Sequence, residues 1–118
     1  MFNDLSFRAM ESSLKGLKLQ QDAIIHNIAN VETPGFKTKN VSFDNILEQA
    51  RQGNSGRYDF KALVEEDRYT ESRPDGNNVD IDQENIELVG SYFQTMALYQ
   101  KIGGRISDFR YIVGQAFK

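Results

Sequence analysis

The sequence predicts a mainly α protein: two long terminal helices forming an antiparallel hairpin of coiled-coil character, joined by an irregular, partly extended middle segment. Three observations predict it. Apolar residues in the first third recur in steps of three and four, and those in the last third do the same. That spacing keeps one stripe of side chains turned toward a partner helix. Between the two stripes, Thr33-Pro34-Gly35 and Arg73-Pro74-Asp75-Gly76-Asn77 break helical geometry. The chain therefore divides into an N-terminal core helix over 1–33, a segment of turns, loop and short elements over 34–79, and a C-terminal core helix over 80–118. Together they make one structural unit.

In the first helix the stripe runs Phe7, Met10, Leu14, Leu17, Ile24, Ile28 and Val31, interrupted only at Gln21. Polar Glu11, Ser12, Lys15, Lys18, Gln20 and Asp22 fill most of the opposite side. Gly16 costs about 1 kcal/mol relative to Ala inside a helix, and it permits a close approach of another backbone. Pro34 lacks an amide donor and drives Thr33 out of helical geometry. Gly35 then allows the positive φ of a turn. A helix over residues 5–30 spans roughly 40 Å at 1.5 Å per residue.

The middle segment carries no long periodicity. Phe43, Ile46 and Leu47 fit a short amphipathic helix ending near Gly53, followed by a Gly53-Asn54-Ser55-Gly56 loop. Tyr58-Asp59-Phe60 and Ala62-Leu63-Val64 fit short extended pieces. In Arg73–Asn77, Pro74 and Gly76 stand where a tight turn prefers them.

Asp80 or Asp82 can cap the second helix, and Glu84 suits the dipole of its first turn. One apolar stripe runs Ile86, Val89, Phe93 and Met96. Another runs Leu88, Tyr92, Tyr99, Ile102, Ile106, Phe109, Val113 and Ala116. Gly103-Gly104 weakens the helix centrally and marks a candidate bend. Two such helices bury one seam between them and leave other apolar faces open. Exposed apolar surface of that extent marks an interface, so the pattern predicts oligomerisation through a helical bundle.

Composition narrows the function. The formal net charge of -3 argues against a nucleic-acid binder, which carries a basic face. Charge is uneven, with nine acidic residues from Glu65 to Glu87 against only Arg68 and Arg73. From Lys101 to Lys118 the balance reverses, with Lys101, Arg105, Arg110 and Lys118 against Asp108. Two copies could meet through these opposite segments; two solvated faces of one hairpin fit equally well. Cysteine is absent, so disulfides, thiolate metal sites and thiol catalysis are excluded. Met1–Met10 does not read as a secretory signal peptide. No stretch reaches the roughly 20 apolar residues of a membrane span.

Sites for chemistry are poor. His26 is the only histidine, a weak basis for a metal site. Glu65-Glu66 and Asp80/Asp82 lie in polar sequence without the apolar cleft that separates carboxyl pKa values. Gly103-Gly104 lacks the Lys-Ser or Lys-Thr of a phosphate loop, and Asp75–Asp80 lacks the ligand spacing of a calcium loop. The expectation is a protein that is not an enzyme and takes no cofactor.

Two segments carry a resemblance. Asn27-Ile28-Ala29-Asn30-Val31-Glu32-Thr33-Pro34-Gly35-Phe36-Lys37 resembles the N-terminal signature of the flagellar rod and hook proteins, an Asn-Ile-Ala-Asn run followed by Thr-Pro-Gly and an aromatic. Arg73-Pro74-Asp75-Gly76-Asn77-Asn78-Val79-Asp80 and the Ile81–Glu84 that follow resemble the segment preceding the C-terminal helix in proximal rod proteins of that family. The chain departs from the family at Ile25-His26, where relatives often show Ala-Asn. It departs again at Ser91 and Thr95, which stand for an Asn and a Tyr. It also lacks the C-terminal pattern of distal rod and hook subunits.

The resemblance implies a structural subunit of the bacterial flagellar basal body, in the proximal rod on the periplasmic side of the inner membrane. It implies export by the flagellar type III apparatus without a cleaved signal peptide. The implied partners are copies of itself, other flagellar rod proteins and the MS-ring/rod junction protein. The terminal helices would self-assemble into a tubular structure that transmits torque and lines the export channel. By position, Asn27 and Asn30 would bond backbone where the helix ends, Thr33, Pro34 and Gly35 would turn the chain outward, and Phe36 would anchor the turn. Arg73 to Asp82 would return it. Met10, Leu14, Leu17, Ile24, Ile28, Tyr92, Phe93, Met96, Tyr99, Ile102, Ile106, Phe109 and Val113 would carry packing within and between subunits. The alternative is a stand-alone helical binding module such as a flagellar export chaperone.

Overall fold

The computed structural model describes residues 5–42 and 63–117. In chain order they form helix α1 (Leu5–Ala29), strand β1 (Lys39–Ser42), strand β2 (Leu63–Glu66) and helix α2 (Ile81–Ala116). The short helix expected at Phe43–Leu47, the Gly53–Gly56 loop and the Tyr58–Phe60 piece lie outside the described residues.

The two helices run antiparallel. Arg105 donates to Ser6 at one end, Gln21 to Thr95 in the middle, and Asn27 to Glu84 at the other end. Toward α2, α1 presents buried Leu17 and Ile24 and half-buried Met10, Leu14 and Ile28, while buried Ala23 lines a hollow with Lys39, Asn40 and Val41. Toward α1, α2 presents Glu84, Leu88, Ser91, Thr95, Leu98, Ile102, Ile106 and Phe109, all buried or half-buried. This seam runs through Ser91, Thr95 and Leu98; of the stripe expected to pack within and between subunits, Leu88, Ile102, Ile106 and Phe109 lie on it and Tyr92 and Tyr99 beside it. Those tyrosines and Val113 are exposed. α2 passes through Gly103 and Gly104 as uninterrupted helix.

The hairpin is long and thin, with extents of 69 × 33 × 14 Å and a radius of gyration of 18.7 Å. A compact domain of this length would have roughly 13 Å. Among the described residues the fully buried apolar set is small: Leu17, Ala23, Ile24 and Val79.

α1 ends at Ala29, five residues before Pro34. The backbone amide of Asn30 turns in tightly on the carbonyls of His26 and Asn27, and its side chain also donates to the His26 carbonyl at 2.8 Å. Bonds from Val31 to Ile28 and from Thr33 to Asn30 continue the turn. Val31 thus lies beyond the helix it was expected to continue. At α2 the cap is Asp80, whose carboxylate accepts from the amides of Asp82 and Gln83.

The middle segment is more regular than its composition suggests. β1 and β2 pair antiparallel, with Lys39 opposite Glu66, Val41 opposite Val64 and Ser42 opposite Leu63. The opposite charges of Lys39 and Glu66 favour that register.

Candidate functional site

Three buried asparagines tie the middle segment to the closed end of the hairpin. Asn27 is 0 % exposed. Its carbonyl accepts from the Lys39 amide at 2.9 Å, and its side-chain amide donates to the Lys39 carbonyl at 2.9 Å and to Glu84 Oε2 at 3.1 Å. One side chain on α1 therefore holds both the start of β1 and the first turn of α2.

Asn77, also 0 % exposed, does the same for the turn after α1. Its amide nitrogen points at the carbonyls of Asn30 (2.8 Å), Val31 (3.0 Å) and Thr33 (2.9 Å), and its Oδ1 accepts from the Val79 amide at 2.8 Å. Arg73 also donates from its guanidinium to the Val31 carbonyl. Asn78 accepts from the Thr38 amide and donates to the Asp67 carbonyl, both at 2.8 Å. Carbonyls left bare at a helix end are costly when buried; here the second motif supplies their donors.

The two turn glycines meet. The Gly35 amide donates to the Asp75 carbonyl at 2.9 Å. Gly35 and Gly76 both have positive φ, 73° and 85°. A Cβ on Gly76 would sit 3.3 Å from the Gly35 Cα. The Thr-Pro-Gly and Pro-Asp-Gly motifs are thus two halves of one junction. Lys37 braces it from outside, donating to the Gly76 carbonyl at 2.6 Å. Phe36 stands edge-on to the His26 ring, with centroids 5.5 Å apart.

Glu84 is the one carboxylate drawn inside this junction, 4 % exposed. Burial pushes its carboxyl above the ordinary value; the Asn27 hydrogen bond works the other way, and the nearby Glu87 and Asp80 charges add to the rise. Sequence spacing places Glu84 in the first turn of α2 but does not reveal that it is enclosed. Sequence reasoning gave Glu84 only a dipole role and Asn78 only a place in the second motif, and it did not single out Thr38, Lys39 and Asp67, whose backbone groups complete the junction.

A second polar feature lies halfway along the seam. Gln21, the break in the α1 stripe, donates to Thr95 Oγ1 at 3.1 Å. Thr95 in turn donates to the Ser91 carbonyl, and Ser91 to that of Leu88. A matched polar layer of this kind fixes which turns of two helices align. The interruption at Gln21 was the signal for it.

Away from the seam, α2 carries a second apolar face. Ile86 (68 % exposed), Val89, Phe93 (66 %) and Met96 stand on it, with Tyr92 and Tyr99 beside them. Tyr111, Ile112 and Phe117 are exposed past the point where Ser6 meets Arg105. Among the described residues, no group of three His, Asp or Glu side chains could hold a metal ion. No described helix is long and apolar enough to cross a membrane.

No family model matches the chain. Curated relatives do. The flagellar basal body rod protein FlgB of Borrelia hermsii is 37% identical over 93 residues, covering 62% of this chain and 69% of the relative. That of Borreliella burgdorferi is 34% identical over 94 residues, with the same coverage of 62% and 69%. That of Bacillus subtilis is 29% identical over 115 residues, covering 88% of this chain and 89% of the relative.

Proposed function

This chain belongs to the family of the flagellar basal body rod protein FlgB, and from that premise we propose that it builds the proximal rod by packing its two long helices against those of neighbouring subunits. It is a structural flagellar protein of the basal body. In the proposed role the helices form the wall of a tube that lines the export channel and carries torque, on the periplasmic side of the inner membrane. The subunit reaches that place through the flagellar type III export apparatus without a cleaved signal peptide. Its partners are further copies of itself, other rod proteins and the MS-ring/rod junction protein. It performs no catalysis.

The observation that carries this reading is the second apolar face of α2. Ile86, Val89, Phe93 and Met96 are more than half exposed along one side of a helix whose other side is already used by α1. Burying a side chain of this kind is worth about 1.5–3 kcal/mol, so a row of them favours association strongly. The junction around Asn27, Asn77 and Glu84 holds the hairpin in shape, while the open face meets neighbours.

Phe93→Asp tests it, because Phe93 is two-thirds exposed on the side of α2 away from α1. The variant is expected to keep the helix content of the parent, to be exported, and to leave cells non-motile with no rod beyond the MS ring. Full motility with Phe93→Asp would overturn the assignment of this face to assembly.

A further inference from the structure

Asp75–Gly76 is the one place in the chain where a glycine follows an aspartate or an asparagine. Such a pair is chemically labile. With no Cβ on the second residue to block the approach, the Gly76 backbone nitrogen can reach Cγ of the Asp75 carboxyl and close a succinimide ring. The folded chain binds each group that this closure would use. The Gly76 amide, the attacking group, donates to the Arg73 carbonyl at 2.8 Å. The carboxyl is turned past it, because Asp75 Oδ1 accepts from the Asn77 amide at 3.0 Å, as in an Asx turn. The Asp75 carbonyl, the other half of the ring, accepts from the Gly35 amide at 2.9 Å. Lys37 holds the Gly76 carbonyl at 2.6 Å. Gly35 and Lys37 belong to the other motif, so the full set of restraints exists only when the two motifs are together.

We propose that Asp75–Gly76 is a spontaneous modification site guarded by the junction: it converts to isoaspartate while the chain is unfolded and is held as aspartate once the two motifs close on each other. The reaction needs water alone. The Gly76 nitrogen gives up its proton and bonds to Asp75 Cγ, the carboxyl loses its hydroxyl, and the two leave as water. Water then adds to one of the two ring carbonyls. Addition at Cγ restores aspartate. Addition at the α-carbonyl breaks its bond to nitrogen, frees an α-carboxylate and routes the backbone through Cβ and Cγ. Nothing is oxidised or reduced.

The product has an extra methylene in the backbone between residues 75 and 76, and the junction has no room for it. A Cβ on Gly76 would already sit 3.3 Å from the Gly35 Cα. Asn77, the next residue, must aim its amide at three carbonyls 2.8–3.0 Å away. The Arg73 amide must meet the Asn77 carbonyl across the turn at 2.8 Å. A converted chain therefore cannot close the junction, and the conversion marks chains that have stayed unfolded. The rate in the folded protein follows the fraction of time the junction spends open.

The test ages the purified full-length chain in warm, mildly acidic buffer with and without urea. Isoaspartate is counted by enzymatic methylation with an isoaspartyl methyltransferase and located by fragmentation mass spectrometry. It is expected at residue 75 in urea, and to form there at least about tenfold more slowly in buffer. Asn77→Ala opens the junction but keeps the Asp-Gly pair. It should match the parent in urea and move the buffer rate toward the urea rate. Chain aged in urea and returned to buffer should unfold at lower urea than fresh chain. Asp75→Glu, whose longer side chain does not form the succinimide, should age without that loss. Equal rates in buffer and urea, a buffer rate unmoved by Asn77→Ala, or a converted chain as stable as the parent would each overturn the proposal. The assay uses the free chain, so its outcome stands apart from the rod reading.

Discussion

Asn77→Asp is nearly isosteric and should be among the most damaging single changes in the molecule. The side-chain amide of Asn77 has two protons to share among three carbonyls at 2.8–3.0 Å, and its oxygen accepts from Val79. That amounts to about three effective hydrogen bonds. At about 1 kcal/mol net for each, losing the two donated bonds costs about 2 kcal/mol. The replacement also directs an acceptor-only carboxylate at three carbonyl oxygens in a fully buried position, so about 3 kcal/mol or more is expected in all. For a chain of this size that lowers Tm by roughly 10 °C. Thermal and urea unfolding followed by circular dichroism would measure it. The introduced carboxyl would be held above its ordinary pKa, so the deficit should be full at neutral pH and shrink as pH falls toward the acid range. A loss below about 0.5 kcal/mol, the scatter of ordinary surface substitutions, or a deficit indifferent to pH, would refute the role given to Asn77.

Other consequences follow from the same junction. The stability that protonated Glu84 contributes is fully present below the ordinary value of 4.5 and is lost as pH rises through its raised folded value. Glu84→Gln keeps an acceptor for Asn27 without that loss, so its stability relative to the parent should increase with pH in paired urea titrations. Asp80→Ala removes the cap that receives the Asp82 and Gln83 amides, and should cost about 1 kcal/mol, with faster hydrogen exchange confined to the first turn of α2. Gly76→Ala forces a side chain into positive φ and onto the Gly35 backbone; a loss of about 1–2 kcal/mol is expected on chemical denaturation.

The helices were legible because their signals are local. Apolar steps of three and four set their extent, and Asp80 announces the start of α2. The junction was legible only as two motifs, not as one object. Asn27 and Glu84 lie 57 positions apart and Asn77 and Asn30 lie 47 apart; nothing in the spacing near either residue encodes its partner. Glu84 also satisfies a local rule, an acid in a first helical turn, which hides its enclosure. The stripe read on α2 joined Tyr92 and Tyr99, which are exposed, to Leu88, Ile102, Ile106 and Phe109, which face α1, because apolarity alone cannot distinguish the side facing α1 from the side left open. The polar Ser91 and Thr95 occupy the seam where an apolar rule would not look. β2 was legible in part, as the extended Leu63-Val64, but β1 and the pairing of the two escaped notice because Lys39, Asn40, Glu65 and Glu66 give the ribbon almost no apolar alternation.

The pairing of Ser42 with Leu63 gives the chain a doorway. It leaves one side of a two-stranded frame and re-enters directly opposite, so whatever is strung between these posts has its two ends already gathered. A fluorescent or affinity tag spliced between them should leave the asparagine junction undisturbed, because the ribbon itself holds the two posts together.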